Sequence, residues 1–357
     1  MNGRVAVVLF NLGGPDRLEA VEPFLANLFS DPAIIGLPGL LRRPLAKLIA
    51  RRRAPVAREI YAQLGGGSPL LPLTEAQGSA LEAALDARGL EARSFIAMRY
   101  WHPMTEAAAR AVADWRPDEV VLLPLYPQYS STTTGSSLAA WSEAAAAAGV
   151  SAPTRSVCCY PAQAGFVAAV AGHVAQAVAE ARDAGGRFRL LFSAHGLPER
   201  VIARGDPYQW QVEATVAAVM AALADPGLEH TICYQSRVGP LKWIGPSTEE
   251  ELHRAAKDGL ATAVVIPIAF VSEHSETLVE LDVEYRKLAT EHGIANYIRV
   301  PAVGTTPAFI EGLAELVTAA LERLSGLAGG VSSGDGGRIC GERWRCCPCR
   351  AEAAAGA

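Results

Sequence analysis

The sequence predicts an α/β fold made of two similar Rossmann-like halves with parallel sheets. Short apolar runs alternate with long Ala-rich helical patterns, as in doubly wound folds. The apolar runs show almost no alternation with polar residues, which indicates strands buried on both faces of a parallel sheet. Residues 5–15 resemble 190–198, and residues 119–136 resemble 262–278. This internal echo predicts two similar halves.

Seven apolar runs are predicted to be strands. They occupy residues 4–10, 93–98, 119–126, 189–195, 230–235, 262–270 and 297–301. Helical patterns lie between them at residues 105–115, 165–185 and 247–259. Ligands of such folds bind beyond the carboxyl ends of the strands, where the echoed segments carry unusual polar residues. The sequence therefore predicts a site at those ends.

The chain divides into three predicted parts. Residues 1–155 form the first half and residues 156–325 form the second. Residues 326–337 are rich in Gly and Ser, which is typical of a flexible linker. A cysteine-rich tail follows the linker. Residues 326–357 are therefore predicted to be an appendage to a fold that is already complete.

Composition excludes several classes of protein. Of the 357 residues, 50% are hydrophobic, which excludes disorder over most of the chain. The net charge of −5 argues against a general nucleic-acid binder. No apolar run reaches the roughly 18 residues of a membrane span, and the N-terminus lacks the order of a signal peptide. We therefore expect a cytoplasmic protein.

The strongest site candidate is an acidic helix that follows the apolar run 262–270. Glu276, Glu280 and Glu284 have the spacing i, i+4, i+8, which places three carboxylates on one face of an α-helix. A row of carboxylates can bind a divalent cation, or pass protons and cations along. The alternative is an ordinary solvated acidic face.

A histidine and a hydroxyl-rich loop also follow predicted strands. His195 ends the run 189–195, and its pKa near neutrality would let it take protons from a weakly acidic substrate nitrogen. Its alternative role is structural. The loop 126–137 suits an anionic group, and its alternative role is helix capping.

Residues 34–53 are apolar and basic together. Between Pro32 and Arg58 there are seven basic residues and no acid. Such a segment can lie on an anionic membrane surface, or its arginines can snorkel from a helix that packs on a core. We favour a membrane-facing segment or a lip at the substrate site.

Cysteines cluster near the C-terminus. Four of the seven lie within ten residues, at Cys340, Cys346, Cys347 and Cys349. In a reducing cytoplasm such a cluster favours a metal or redox site. Zinc fingers need paired CxxC knuckles, whereas Fe–S clusters accept looser spacing, and Cys158 or Cys159 could add a ligand. From the residues alone, an Fe–S cluster, a zinc site and unligated thiols all stay open.

Seven sequence motifs occur in a fixed order over about residues 1–320. They are FNLGGP (10–15), GGGSP (65–69), RYWHPMTEAA (99–108), LYPQYSSTTTGSS (125–137), SAHGLP (193–198), CYQSRVGPLKWIGP (233–246) and FVSEHSETLVELDVEY (270–285). Together they resemble the ferrochelatase family. The resemblance implies two Rossmann-like halves with a porphyrin cleft between them, in agreement with the internal echo.

The resemblance also implies a reaction. Ferrochelatases insert Fe²⁺ into protoporphyrin IX and release two protons, which completes the synthesis of protohaem. Two alternatives stay open: a ferrochelatase that acts on coproporphyrin III, and a porphyrin- or haem-binding protein that reuses the fold without catalysis.

Site residues follow from the same resemblance. His195 and Glu276 correspond to the catalytic pair, and Glu280 and Glu284 extend it as a row that handles Fe²⁺ or protons. The implied substrate-binding residues are Arg53, Ser68, Arg99, Tyr100, Thr132, Trp243 and Phe270.

Some ferrochelatases carry a [2Fe–2S] cluster. The resemblance implies that Cys340, Cys347 and Cys349 would bind it, together with either Cys158 or Cys159. The expected partners are protoporphyrin IX and Fe²⁺, with peripheral membrane contact through residues 34–53 and no nucleic acid. The expected location is the cytoplasm, at the inner face of the membrane where that contact forms.

Overall fold

The computed structural model describes residues 3–237, 239, 241–323, 330–334 and 336–349, and it confirms the α/β class. The chain forms two compact units. The first contains the described residues of Met1–Tyr160, Leu313–Ile339 and Pro348–Ala357. The second contains the described residues of Pro161–Gly312 and Cys340–Cys347.

The first unit is built on a five-stranded parallel sheet. Its strands are β1 (Val5–Asn11), β2 (Ala92–Met98), β3 (Glu119–Pro124), β4 (Thr154–Val157) and β9 (Val331–Ser332). They lie in the order β2-β1-β3-β4-β9. Every residue of β1 is buried, as its unbroken apolar run predicts for a central parallel strand.

The second unit repeats this plan with four parallel strands. They are β5 (Phe188–His195), β6 (His230–Gln235), β7 (Thr262–Pro267) and β8 (Asn296–Arg299). Their order, β6-β5-β7-β8, matches the order β2-β1-β3-β4 of the first unit. The internal echo in the sequence therefore corresponds to β1 with β5 and to β3 with β7.

Helices connect the strands. They are α1 (Val21–Phe29), α2 (Gly39–Gln63), α3 (Leu70–Asp86), α4 (Thr105–Trp115), α5 (Thr134–Ala148), α6 (Ala164–Asp183), α7 (Glu199–Ala203), α8 (Tyr208–Leu223), α9 (Thr248–Lys257), α10 (Tyr285–Glu291) and α11 (Pro307–Arg323). A short 3₁₀ turn spans Leu18–Ala20, and a π-helix spans Glu276–Glu284. The three predicted helices correspond to α4, α6 and α9.

Each unit has its own apolar core. In the first, the Phe10 ring from β1 lies 6.3 Å from the Trp141 ring of α5, measured between centroids. In the second, Leu191 and Val265 of neighbouring strands pack with Leu252 of α9 and Leu281 of the π-helix. The strands are fixed by burial on both faces, so their carboxyl ends hold the following loops in place.

Helix α6 is unusually apolar for a chain in which the sequence predicts no membrane span. By length and composition alone, Ala164–Asp183 is long and apolar enough to cross a membrane. Its apolar face is occupied: Phe166, Val174 and Val178 are among nine buried side chains on this helix. Half of its most apolar window is buried in the fold, as is usual for a core helix.

The prediction of a flexible linker is wrong for residues 330–334, which the structure describes. Val331 pairs with Ser156 and Ser332 with Val157, so β9 extends the first sheet beyond β4. An uncovered β4 would be an edge strand with unpaired backbone groups, and residues 330–334 satisfy them. Residues 326–329, 335 and 350–357 of the predicted linker and tail lie outside the described residues.

The compact units differ from the predicted parts at their boundaries. The first unit runs to Tyr160 rather than to residue 155, and it also takes in residues 313–339. The segment Cys340–Cys347 belongs to the second unit. The division into 1–155, 156–325 and 326–357 as functional parts stays a prediction.

Candidate functional site

The carboxyl ends of β5, β6 and β7 carry the strongest cluster of reactive side chains. His195 is the last residue of β5 and pairs in register with Gln235 of β6. Its Nδ1 lies 2.8 Å from Oε2 of Glu276, the first residue of the π-helix. The two predicted catalytic residues are therefore in direct contact within the second unit.

His195 and Glu276 each shift the pKa of the other. Burial disfavours the charged imidazole of His195, but the negative charge and hydrogen bond of Glu276 outweigh burial and raise the His195 pKa. Burial likewise disfavours ionised Glu276, yet His195 holds the pKa of that carboxyl well below its usual range. An ionised carboxylate only accepts hydrogen bonds, so Nδ1 carries a hydrogen in this contact. The lone pair of neutral His195 is then on Nε2.

Glu280 joins the pair through Ser236. The Ser236 hydroxyl oxygen lies 2.9 Å from Oε2 of Glu276 and 2.5 Å from Oε2 of Glu280. Glu280 Oε1 accepts hydrogen bonds from the Ser236 backbone N–H and from the Tyr285 hydroxyl. Burial, and then the nearby charge of Glu276, raise the pKa of Glu280. The site thus holds two carboxylates in different electrostatic states.

The acidic row is carried by a π-helix, not by the predicted α-helix. The wider π-helix forms i→i+5 hydrogen bonds and often occurs at functional sites. Glu276 and Glu280 still meet, through Ser236. Glu284, at the end of the helix, is exposed. Its predicted membership of a path for Fe²⁺ or protons stays a prediction.

Aromatic side chains lie beside this cluster. The Phe270 ring packs 4.6 Å from the ring of His274, measured between centroids. His274 is buried, and burial lowers its pKa. Trp243 is half-buried, and a Cβ on Gly196 would lie 3.4 Å from its ring. The same Cβ would lie only 2.9 Å from the Gln235 carbonyl oxygen, so the turn after His195 needs glycine because the end of β6 approaches it closely.

The equivalent edge of the first unit holds an ion-pair network. Asp31 is buried, and its Oδ2 accepts hydrogen bonds from the hydroxyls of Tyr100 and Ser136. The same oxygen lies 2.9 Å from a guanidinium nitrogen of Arg99, whose Nε donates to Ser136. The consecutive predicted residues Arg99 and Tyr100 thus both bind one aspartate.

The other predicted residues of the first unit lie on separate loops and helices. The Arg53 guanidinium lies over the Phe29 ring at 5.9 Å. Ser68 packs so closely on Gly14 that a Cβ there would lie 2.5 Å from the serine hydroxyl. Thr132 Oγ1 is 2.8 Å from the Ser130 hydroxyl oxygen, just before α5. No contact joins these three to Arg99 among the described hydrogen bonds and ion pairs.

Several residues that bind the site are absent from the sequence-based predictions. Asp31, Ser236 and Tyr285 each bind a predicted residue directly, and Gln235 is a fourth, since its Nε2 donates to Glu280 Oε2 at 3.3 Å. A signal existed for Asp31, since it immediately precedes the long acid-free basic stretch that begins at Pro32. Ser236 and Tyr285 lie inside the motifs 233–246 and 270–285, but nothing in their residue type marks them.

Three cysteines converge in the first unit. The Cys158 Sγ lies 3.4 Å from the Sγ of Cys159 and 3.4 Å from that of Cys349, and all three are buried. The tail strand holds the internal pair: Cys158 N–H donates to Ser332 O, and Gly334 N–H donates to Cys159 O. Residues after β4 are thus fixed by residues near the C-terminus.

The remaining tail cysteines belong to the second unit. Cys340 is buried and its Sγ accepts from Gln211 Nε2 at 3.2 Å. Cys347 is also buried, whereas Cys346 is partly exposed. Within the described part of the chain, no group of three or more His, Cys, Asp or Glu side chains has an arrangement that could hold a metal ion, and this includes Cys158, Cys159 and Cys349.

Solved structures share this fold. SirB from Bacillus subtilis with Fe³⁺ matches with a TM-score of 0.52 and 12% identity, covering 91% of this chain and 98% of that one. The sirohydrochlorin chelatase SirB from Bacillus subtilis subspecies spizizenii with cobalt matches with a TM-score of 0.52, 13% identity and the same coverage. The fold is therefore that of a chelatase-like α/β protein.

Sequence relatives define the family. The ferrochelatase family model matches residues 4–321. A ferrochelatase of Caulobacter vibrioides is 57% identical, covering 99% of this chain and 100% of the relative. A ferrochelatase of Hyphomonas neptunium is 53% identical, covering 98% of this chain and 95% of the relative. The chain belongs to the ferrochelatase family, enzymes that insert iron into a porphyrin.

Proposed function

We propose that this ferrochelatase inserts Fe²⁺ into protoporphyrin IX with His195 and Glu276 as its catalytic pair. The observation that carries the proposal is the 2.8 Å contact between His195 Nδ1 and Glu276 Oε2 at the end of β5. The His195 side chain is 39% exposed, so a substrate can reach it. The first test is an iron-insertion assay on the purified protein; lack of haem formation under anaerobic conditions would contradict the proposal.

Insertion of Fe²⁺ replaces two pyrrole N–H protons, so the enzyme needs a proton acceptor at the macrocycle. With Nδ1 bound to Glu276, the Nε2 lone pair of neutral His195 is free to take a pyrrole proton. The ionised Glu276 stabilises the imidazolium that forms. Each proton then leaves to solvent, and the vacated nitrogen lone pair binds the iron.

The acidic residues beyond this pair would handle charge. Glu280 shares Ser236 with Glu276, and the exposed Glu284 lies at the far end of the π-helix. Carboxylate oxygens are suitable ligands for a divalent cation and suitable carriers for protons. We assign Glu280 and Glu284 to a route for Fe²⁺ or for released protons.

Substrate contacts come from polar and apolar groups. Trp243 and Phe270 lie beside the His195 cluster and would provide apolar surface for the macrocycle. Arg99 and Tyr100 are assigned to the metal side of the porphyrin. Arg53, Ser68 and Thr132 are assigned to its propionates, for which a guanidinium and hydroxyls are suitable partners.

Protoporphyrin IX is favoured over coproporphyrin III by the surface of α2. The N-terminal part of this helix exposes Leu40 by 91% and Leu41 by 63%. Protoporphyrin carries two carboxylates and coproporphyrin four, so the more apolar porphyrin suits an apolar lip. Turnover of both porphyrins at equal concentration tests this preference, and faster turnover of coproporphyrin III would overturn it.

The same surface supports peripheral contact with an anionic membrane. Exposed leucines lie beside Arg42, Arg43 and Lys47 on α2, which is the composition of an interfacial helix. Cosedimentation with anionic vesicles should fall when Leu40 and Leu41 are both changed to Ser. The matched control Val283→Ser removes a 48% exposed apolar side chain of the second unit and should not change binding.

We also propose a [2Fe–2S] cluster bound by Cys340, Cys347, Cys349 and one internal cysteine. A tetrahedral centre with metal–sulfur bonds of about 2.3 Å places two thiolates roughly 3.8 Å apart. The 3.4 Å separation of the buried Cys158 and Cys349 fits that requirement and favours Cys158 as the internal ligand. When bound, the cluster would cross-link the tail to the main fold and supply a redox-active centre.

Spectroscopy tests the cluster. Anaerobically purified protein should be brown, contain iron and acid-labile sulfide, and lose visible absorption on reduction. Cys158→Ser should remove the absorption, whereas Cys346→Ser should keep it. A colourless protein that contains zinc would contradict the cluster.

We assign the protein to the cytoplasm, with no nucleic-acid partner, in line with its net charge of −5.

A further inference from the structure

Ser236 has an unusual backbone conformation at the candidate site. Among the described residues, three that are not glycine have positive φ: Arg116, Ala224 and Ser236. Arg116 and Ala224 are the caps that end α4 and α8, where left-handed conformations are common. Ser236, with φ of 61°, instead follows a strand directly. Its conformation is disfavoured for serine and has no role in helix capping.

This conformation directs two groups of one residue at the same helix. The Ser236 N–H donates to Glu280 Oε1 at 2.7 Å. The Ser236 hydroxyl lies between Glu276 Oε2, at 2.9 Å, and Glu280 Oε2, at 2.5 Å. A strained residue that contacts two functional side chains points to a role in organising them.

The carboxylates need such an organiser. Glu276 and Glu280 lie on one face of the π-helix, and like charges at this spacing repel. Among the described hydrogen bonds, the His195 imidazole binds Glu276 and does not reach Glu280, so His195 alone does not fix the position of Glu280. The Ser236 hydroxyl lies within hydrogen-bond distance of both carboxylates: it donates its one hydrogen to one of them and accepts from the other when that carboxyl is protonated.

We propose that Ser236 is a positioning residue for iron insertion. Its hydroxyl hydrogen-bonds to Glu276 and Glu280, holds the two carboxyl groups at a fixed spacing, and so keeps Glu276 in contact with His195. The left-handed backbone is the conformation in which both the N–H and the hydroxyl reach the π-helix. The inference rests on the proposed roles of Glu276 and Glu280. It adds a residue that acts through them and does not touch the porphyrin.

Substitutions of Ser236 distinguish the effect of its hydroxyl from the effect of its backbone conformation. Ser236→Gly accepts the left-handed conformation and keeps the N–H but lacks the hydroxyl, whereas Ser236→Ala lacks the hydroxyl and keeps the strain. We expect both to lower kcat at least tenfold, with the porphyrin KM changed less than twofold. The melting temperature of the Gly variant should be the higher of the two.

Ser236→Thr makes the opposite change: it keeps the hydroxyl but adds a β-branched side chain to a strained backbone conformation. It should retain at least half of the wild-type kcat while melting at a lower temperature. Ala224→Gly is the matched control: it relieves the same conformation in the same unit, and it should leave kcat unchanged.

Two outcomes would overturn the positioning role. One is wild-type kcat in Ser236→Gly; the other is activity in the three variants that follows melting temperature rather than the hydroxyl. Glu276→Gln and Glu280→Gln, assayed beside them, separate this inference from the proposed function. If both retain wild-type kcat, the proposed carboxylate roles fail; if they lose activity and Ser236→Gly does not, the inference alone fails.

Discussion

The two units have the same strand order but different chemistry at the carboxyl edges of their sheets. In the first, one buried carboxylate, Asp31, is bound by Arg99, Tyr100 and Ser136. In the second, the half-exposed His195 meets Glu276, and Ser236 adds Glu280. The common topology therefore determines where a site forms, and the loops after the strands determine what the site does.

Charge balance explains the difference. Asp31 is matched by one guanidinium and two neutral hydroxyls, so the charges of this network are balanced and its loss should destabilise the first unit. The second edge has two carboxylates for one imidazole, and the pKa values of His195 and Glu280 are both raised. An unbalanced, partly exposed group of this kind can exchange protons with a substrate.

The largest effect should come from removing His195, the proposed proton acceptor at the carboxyl edge of the second sheet. His195→Ala leaves no group to accept the pyrrole proton, and we expect kcat to fall about 10³-fold, within the usual contribution of a general base. Because the side chain is partly exposed, the free energy of unfolding should change by less than about 1 kcal/mol. Anaerobic iron insertion and urea denaturation measure the two quantities.

Porphyrin binding, followed by fluorescence quenching, is the control for His195→Ala. Retained binding with lost insertion fits the assigned role. Full insertion activity in this variant would show that His195 is not the proton acceptor. The two sheet edges would then not differ in the way proposed here.

The next largest effect should be on stability, at the first edge. Asp31→Ala leaves Arg99, Tyr100 and Ser136 without their shared acceptor, and we expect a loss of about 3 kcal/mol in the free energy of unfolding. Glu291→Ala is the control, because Glu291 is exposed and its ion pair among the described residues is with Lys287, on the surface of α10. Its loss should stay below about 0.5 kcal/mol in the same urea titration. Equal losses in the two variants would show that the first edge is not a stabilising network.

The smallest effect should be a shift in pH dependence. The His195 pKa is raised, so its proton-accepting form appears only as pH rises, and activity falls toward acid. Glu276→Gln removes the charge that raises this pKa, and the acidic midpoint of kcat/KM should move down by about one unit. An NMR titration of the His195 ring should move in the same direction. An unchanged or higher midpoint would contradict the electrostatic coupling, and Glu291→Gln serves as the control.

Much of the fold and the centre of the site could be predicted from sequence. Unbroken apolar runs mark buried parallel strands, and all seven predicted strands are present. His195 and Glu276 were accessible because each follows such a run and because histidine and clustered carboxylates have distinctive chemistry.

Other features depend on contacts that a sequence does not display. Asp31 and Tyr100 are 69 residues apart, so their bond exists only once the sheet has formed. The importance of Ser236 lies in its φ angle, and the π-helix arises from a change in hydrogen-bond register without a matching change in composition. β9 is a strand because β4 offers it a partner, and its Gly- and Ser-rich surroundings indicate the opposite.

The pairing of β9 with β4 also has a consequence for solubility. β9 covers the outer side of β4, whose backbone groups would otherwise be free to bind another chain. In this protein the protection comes from residues near the C-terminus, long after the sheet itself is complete in sequence. A chain shortened before residue 330 should therefore fold its sheets, expose β4 and self-associate edge to edge, so that proteolysis of the tail would appear first as aggregation.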